Sequence, residues 1–131
     1  MKNYKIFLLS NRYKDWCKSI KEKISFSTSV GVSFSELPNY YAAGLSDNYR
    51  IKWAANRILD SDIVIVDLNE ITDPIIIYLL GYIRAINTIS PNHIDVVTIN
   101  SSVISWNDTD AIYSTNDIDD AVDYISANLL L

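Results

Sequence analysis

Residues 63–68 read IVIVDL, an unbroken apolar run closed by an aspartate and a leucine. A strand with one face in water alternates apolar and polar side chains. A strand that is apolar at nearly every position must be covered on both faces, as in the centre of a parallel sheet. This one segment therefore predicts helices above and below a sheet, with crossover connections between its strands.

The rest of the chain supplies those parts. KIFLL (5–9) reads as a first strand. Tyr13, Trp16, Cys17, Ile20 and Ile24 then recur at helical spacing, with Lys14, Lys18, Lys21 and Lys23 on most of the other face, which reads as solvated. SVGVSF (29–34) alternates as a second strand should. ELPNYYAAGLSDN (36–48) is a turn-rich loop with Pro38 and Gly44. Ser46 or Asp47 can cap a second helix whose inner stripe is Ile51, Ala54, Ala55, Ile58 and Leu59. After the central strand, Asp73-Pro74 is a cap followed by proline at the first helical position, and that helix is predicted to run to about Asn87. Pro91 and Asn92 break the chain before a fourth strand, IDVVTI (94–99). A loop holding Trp106, Asn107 and Asp108 leads to a fifth strand, AIYS (111–114). Asn116 or Asp117 caps a last helix with Ile118, Ala121, Val122, Ile125 and Leu129 inward and Asp119, Asp120 and Asp123 outward.

The order β-α-β-α-β-α-β-β-α predicts a single α/β domain over 1–131. Right-handed crossovers leave few arrangements. The expected one is a flavodoxin-like, Rossmann-like three-layer sandwich with a five-stranded parallel sheet of order 2-1-3-4-5. With 131 residues, 49% of them apolar, the chain can bury a core without metal or disulfide staples.

Charge and composition exclude several function classes. The net charge is −5 and the pI about 4.6, with no basic stripe, so nucleic acid is not an expected partner. Cys17 is the one cysteine, so no internal disulfide forms and a reducing compartment fits. Ile6–Leu9 is too short an apolar run for a signal peptide or membrane span, so a cytoplasmic protein without membrane association is expected. His93 has no partners at metal-ligand spacing, and the three glycines (Gly31, Gly44, Gly81) form no phosphate loop. No metal and no cofactor are expected. Cys17, on the inward stripe of its helix, reads as a packing residue.

In a sheet of this order, ligands bind beyond the carboxyl ends of the strands where the order reverses, between strands one and three. The candidate ligand-binding residues there are Ser10, Asn11 and Arg12 after strand one and Asp67, Asn69, Glu70 and Asp73 after strand three. Tyr40 and Tyr41 in the second loop can supply aromatic cover, alongside Glu36 and Asn39. Asp73 has a helix-capping role whether or not it meets a ligand, and Asp62 reads equally as a turn residue or a ligand contact. Carboxylates and tyrosines together suit a sugar joined to a flat base. Arg12 or Arg50 would meet a phosphate.

Residues 58–87, ILDSDIVIVDLNEITDPIIIYLLGYIRAIN, carry a more specific signal. Asp62 opens an apolar strand, Asp73 stands in the following loop, and Leu80-Gly81-Tyr82 lies in the next helix. In these features the chain resembles the nucleoside 2-deoxyribosyltransferase-like family, which includes nucleoside monophosphate N-glycosidases. The upstream helix with Arg50 and Trp53 fits the same layout. The resemblance implies a nucleoside or nucleotide ligand and a homodimer or higher homo-oligomer through the helix 74–86. It also implies a Glu-Leu-Gly helix motif whose glutamate attacks the anomeric carbon. Here the glutamate position is Leu79, which can form no glycosyl ester and carry no charge. The sequence therefore predicts a nucleoside- or nucleotide-binding protein of this type with a degenerate active site. One alternative is an active N-glycosidase or deoxyribosyltransferase that uses Glu70, Asp67 or Glu36. Another is a TIR-like or protein-interaction module without a small-molecule ligand. A receiver domain would share the aspartate at position 67, but Ser10, Asn11 and Arg12 replace the acidic residues it needs after strand one.

Overall fold

A computed structural model describes residues 2–10, 13–37, 46–68, 74–91, 93–99 and 111–131, with backbone only at positions 13 and 14. Its elements are β1 (Asn3–Leu9), α1 (Tyr13–Ser27), β2 (Gly31–Glu36), α2 (Asp47–Leu59), β3 (Ile63–Asp67), α3 (Pro74–Ile89), β4 (Asp95–Ile99), β5 (Tyr113–Thr115) and α4 (Ile118–Asn128). The strands form one sheet in the order β2-β1-β3-β4-β5, and every pairing is parallel. This is the predicted flavodoxin-like arrangement.

Handedness explains the layers. The chain leaves β1 toward β2, then returns past β1 to lay down β3. Right-handed crossovers that run in opposite directions put their helices on opposite faces. Accordingly α1 packs with α4, and α2 with α3. Two apolar clusters result, one on each side of the sheet. Phe7, Leu9, Val64, Val66, Leu68 and Val96 meet α2 and α3. Ile6, Leu8, Ile63, Ile65, Val97 and Ile99 meet α1 and α4. All five residues of β3 are buried, as the IVIVDL run requires.

Capping chemistry sets several helix starts. Ser46, in extended conformation, accepts a 3.2 Å hydrogen bond on its Oγ from the Tyr49 backbone N–H and begins α2. Asp117 rather than Asn116 caps α4, accepting from the Asp119 N–H at 3.0 Å. Strand boundaries differ from the sequence reading by one or two residues, most at β2 and β5. β2 starts at Gly31 instead of 29, because the Val30 N–H is taken by Thr28 Oγ1 and the first pair formed is Asn3 with Gly31. β5 starts at Tyr113 instead of 111. It is only three residues long and is anchored by side chains. Tyr113 stacks on Tyr124 of α4 at 4.1 Å and donates to Asp120 at 2.7 Å.

α3 buries Ile75, Ile76, Leu79, Leu80, Ile83 and Ile86 against the sheet and α2. Each such side chain contributes about 1.5–3 kcal/mol. The outer side of the same helix still shows Ile77, Tyr78 and Ile89 to solvent. Among the described residues no helix is long and apolar enough to cross a membrane.

Candidate functional site

Pairing of β1 with β3 runs up to Leu9 opposite Val66. One step further, at the point where the strand order reverses, Ser10 stands beside Asp67. The Ser10 Oγ donates to Asp67 Oδ2 at 3.1 Å, and both residues are fully buried. Alternation along the strands turns both side chains toward α1. The sequence reading placed these two residues together, and the structure does so.

Three further side chains complete a polar cluster on that face. Glu36, the last residue of β2, accepts from Lys21 Nζ at 2.8 Å. The Cys17 thiol, one helical turn before Lys21 on α1, is hydrogen-bonded to the same carboxylate. Burial pushes the Cys17 pKa up to about 12; the Glu36 charge and hydrogen bond add to the rise, as does Asp67, while Lys21 opposes it. A thiol held this firmly in its protonated form is a hydrogen-bond donor, not a nucleophile. Lys21, expected on a solvated face, thus bridges α1 to β2. The spacing of 17 and 21 on one helix was visible in the sequence, but their shared partner on β2 was not.

Of the two readings open for Asp62, its hydrogen bonds match the structural one. It lies at the amino end of β3, about 16 Å along the strand from Asp67 at ~3.3 Å per residue. There its Oδ2 accepts from the Lys5 N–H at 2.9 Å. Its own N–H donates to the Lys5 carbonyl at 2.8 Å, and its carbonyl accepts from the Asp95 N–H at 3.1 Å. The residue ties the starts of β1, β3 and β4 together, on the edge opposite the strand-order switch. A strand-opening aspartate has this structural use regardless of ligand.

Arg50 stands in the first turn of α2, hence near the carboxyl edge of the sheet. Its side chain is 1% exposed, with Nη1 3.6 Å from Asp47 Oδ1. The guanidinium is therefore an internal group of α2 rather than a surface arm. Leu79 is fully buried in the apolar cluster that also holds Leu9, Leu37, Leu68 and Ile76. The place at which the resemblance calls for a nucleophilic glutamate is thus filled with hydrocarbon, and the apolar neighbours would desolvate any carboxylate put there. Asn11, Arg12, Tyr40, Tyr41, Asn69, Glu70 and Asp73, with Asn39, lie outside the described residues.

The described part of this edge thus offers a buried carboxylate and hydroxyl, a carboxylate paired with a lysine, and a protonated thiol. Such groups orient hydroxyls and amines by hydrogen bonding. Among the described residues, no group of three or more histidine, cysteine, aspartate or glutamate side chains could hold a metal ion. No protein-family model matches the chain, and no curated protein is found to be similar to it.

Proposed function

We propose that this chain is a nucleoside- or nucleotide-binding domain of the deoxyribosyltransferase-like type that does not perform glycosyl transfer. The observation that carries this reading is the contrast at the carboxyl edge of the sheet. Ser10 and Asp67 keep a hydrogen-bonded polar pair at the strand-order switch, while Leu79 is packed fully into the core. A polar pair stands at the floor of the candidate site, and the usual nucleophile position is inert. Of the other carboxylates considered for chemistry, Asp67 is buried against Ser10 and Glu36 is paired with Lys21. Each is engaged in holding the fold, which argues against either as a displaced nucleophile; Glu70 lies outside the described residues.

The proposal includes a second copy of the chain as partner, packed on the outer side of α3. That side carries Ile77 at 49%, Tyr78 at 59% and Ile89 at 82% exposure. Between them a side chain added at Gly81 would meet nothing within 4 Å, so a neighbouring helix can approach closely there. Arg84 is the one charged residue in the sixteen of α3. Depletion of charge around exposed apolar side chains is the composition of an interface core.

Thermal denaturation with a panel of nucleosides and nucleoside monophosphates tests the reading. A ligand that binds only the folded state raises the Tm, by about 2.7 kcal/mol of added stability at a hundred times Kd. The same mixtures are assayed for released base. A Tm rise without base release is the expected result. Base release would overturn the non-catalytic reading, and absence of any Tm shift would overturn nucleoside binding.

A further inference from the structure

A cavity of about 380 Å³ lies on the α2–α3 face of the sheet, on the opposite side from the Ser10–Asp67 pair. It runs between α3, β4 and residues 111–112. Leu68, Leu80, Ile83 and Val96 are buried and form an apolar floor, and half-exposed Ile112 forms the far wall. The Ile112 N–H donates to the Val96 carbonyl at 2.8 Å and holds that wall to β4. The volume falls within the range of small-molecule sites, about 300–1,000 Å³.

The ligand class depends on which lining groups are still open to a partner. The polar side chains among the described lining residues are already engaged inside the protein. The Asn87 amide donates to the Ile94 carbonyl at 2.9 Å and accepts from the Ile94 N–H at 2.8 Å, locking the end of α3 to the start of β4. Thr88 Oγ1 donates to the Arg84 carbonyl, one turn back on α3, at 2.8 Å. Thr98 Oγ1 donates to Ser114 Oγ at 2.6 Å. At the rim, His93 Nε2 lies 3.8 Å from the Asp95 carboxylate, and Arg84 holds an interaction of its own. These bonds also fix the walls, so the cavity is pre-formed. A charged ligand group would give up water here without meeting an uncommitted partner, at a cost in free energy. Hydrocarbon needs no partner and gains by leaving water for the apolar floor.

We propose that this cavity is a second binding site, for a small uncharged apolar molecule of two or three rings. Its size sets the ring count. An apolar cavity of about 150 Å³ takes one benzene, and this one is more than twice as large. The rings lie on Leu80, Ile83 and Val96, and the hydrogen bonds around them stay as they are.

The probe that tests this is N-phenyl-1-naphthylamine, compared with its sulfonated relative 8-anilinonaphthalene-1-sulfonate. Fluorescence titration of the full chain is expected to give saturable one-to-one binding of the uncharged probe, equal at low and high salt. The sulfonate binds no more tightly, and Arg84→Gln changes neither affinity more than twofold. Ala111→Trp, which puts an indole at the cavity wall, abolishes binding. Ile77→Ser, on the outer side of α3, has no effect. Amide shifts of the wild-type protein, which need no variant to fold, centre on Ile83, Val96 and Ile112 when the uncharged probe is added. Absence of saturable binding, shifts centred on Ile77 and Tyr78, or binding that survives Ala111→Trp in a folded variant would overturn the site. A sulfonate bound tenfold more tightly than the uncharged probe, or weakened tenfold by Arg84→Gln, would overturn the uncharged ligand class.

Discussion

Ser10 Oγ and Asp67 Oδ2 lie 3.1 Å apart at the carboxyl ends of two adjacent strands, sealed from solvent. The pair sits where the strand order reverses, so the same bond that satisfies a buried carboxylate also closes the floor of the candidate site. Ser10→Ala removes one donor from that carboxylate. A loss of about 1–3 kcal/mol is expected in urea unfolding. A change within 0.3 kcal/mol would show that the bond does not hold this edge together.

Leu79→Glu tests whether the fold tolerates a glutamate at the position where the family resemblance implies one. The new carboxylate would enter an apolar cluster with Leu9, Leu37 and Leu68. Destabilisation of roughly 3 kcal/mol or more is expected, because a buried charge without a partner is left uncompensated. No release of base from nucleosides should accompany it. A stable Leu79→Glu variant that liberates base would mean the pocket is open at this position.

Asp62 and the ligand site are expected to be independent. Asp62→Ala removes the acceptor for the Lys5 N–H and should cost about 1 kcal/mol. Any nucleoside affinity of the wild type, measured by calorimetry, should be unchanged, since Asp62 occupies the far edge of the sheet. A tenfold loss of affinity without a loss of stability would contradict this placement.

Cys17 should behave as a locked thiol. Its pKa is raised by burial first and by Glu36 next, to about 12. A raised folded-state pKa means that the native protein holds the proton more tightly than the unfolded chain does. The resulting stability is complete below the unfolded thiol's pKa and is lost as pH rises from there toward about 12. Denaturant stability of the wild type should therefore fall more steeply above pH 9 than that of Cys17→Ala. Labelling by a thiol reagent at pH 8 should follow unfolding, at least a hundredfold slower than for a free thiol. Fast labelling of the native protein would show an accessible thiolate.

Glutamate at position 77 or 81 should prevent self-association. Both positions face outward from α3, so neither substitution disturbs the core. Sedimentation equilibrium of the wild type is expected to show a dimer, and Ile77→Glu or Gly81→Glu a monomer of unchanged fold. A monomeric wild type at tens of micromolar would remove the proposed interface.

Much of the architecture is legible in local spacing. The IVIVDL run predicted a strand covered on both faces, and all five residues of β3 are buried. The caps of α2 (Ser46 or Asp47) and α4 (Asn116 or Asp117) were visible to within one residue, as was the proline start of α3, because capping depends on residues within one helical turn; the structure selects Ser46 and Asp117. The site was less legible. Ser10 and Asp67 could be paired from the expected strand order alone. Glu36, Cys17 and Lys21 could not be joined, because their meeting depends on how far β2 slides along β1 and how α1 is rotated above it.

By itself, then, the sequence determined the alternation of strands and helices, the central position of 63–67 and the absence of a glutamate at 79. Backbone periods of two and 3.6 residues impose these patterns on any segment that folds. Only the tertiary structure decided that Asp62 and Asp67 serve opposite edges and that Cys17 and Lys21 share one carboxylate. It also decided that a cavity lies beside α3 along β4. These facts depend on strand register and helix placement between residues far apart in the chain, which no local period encodes.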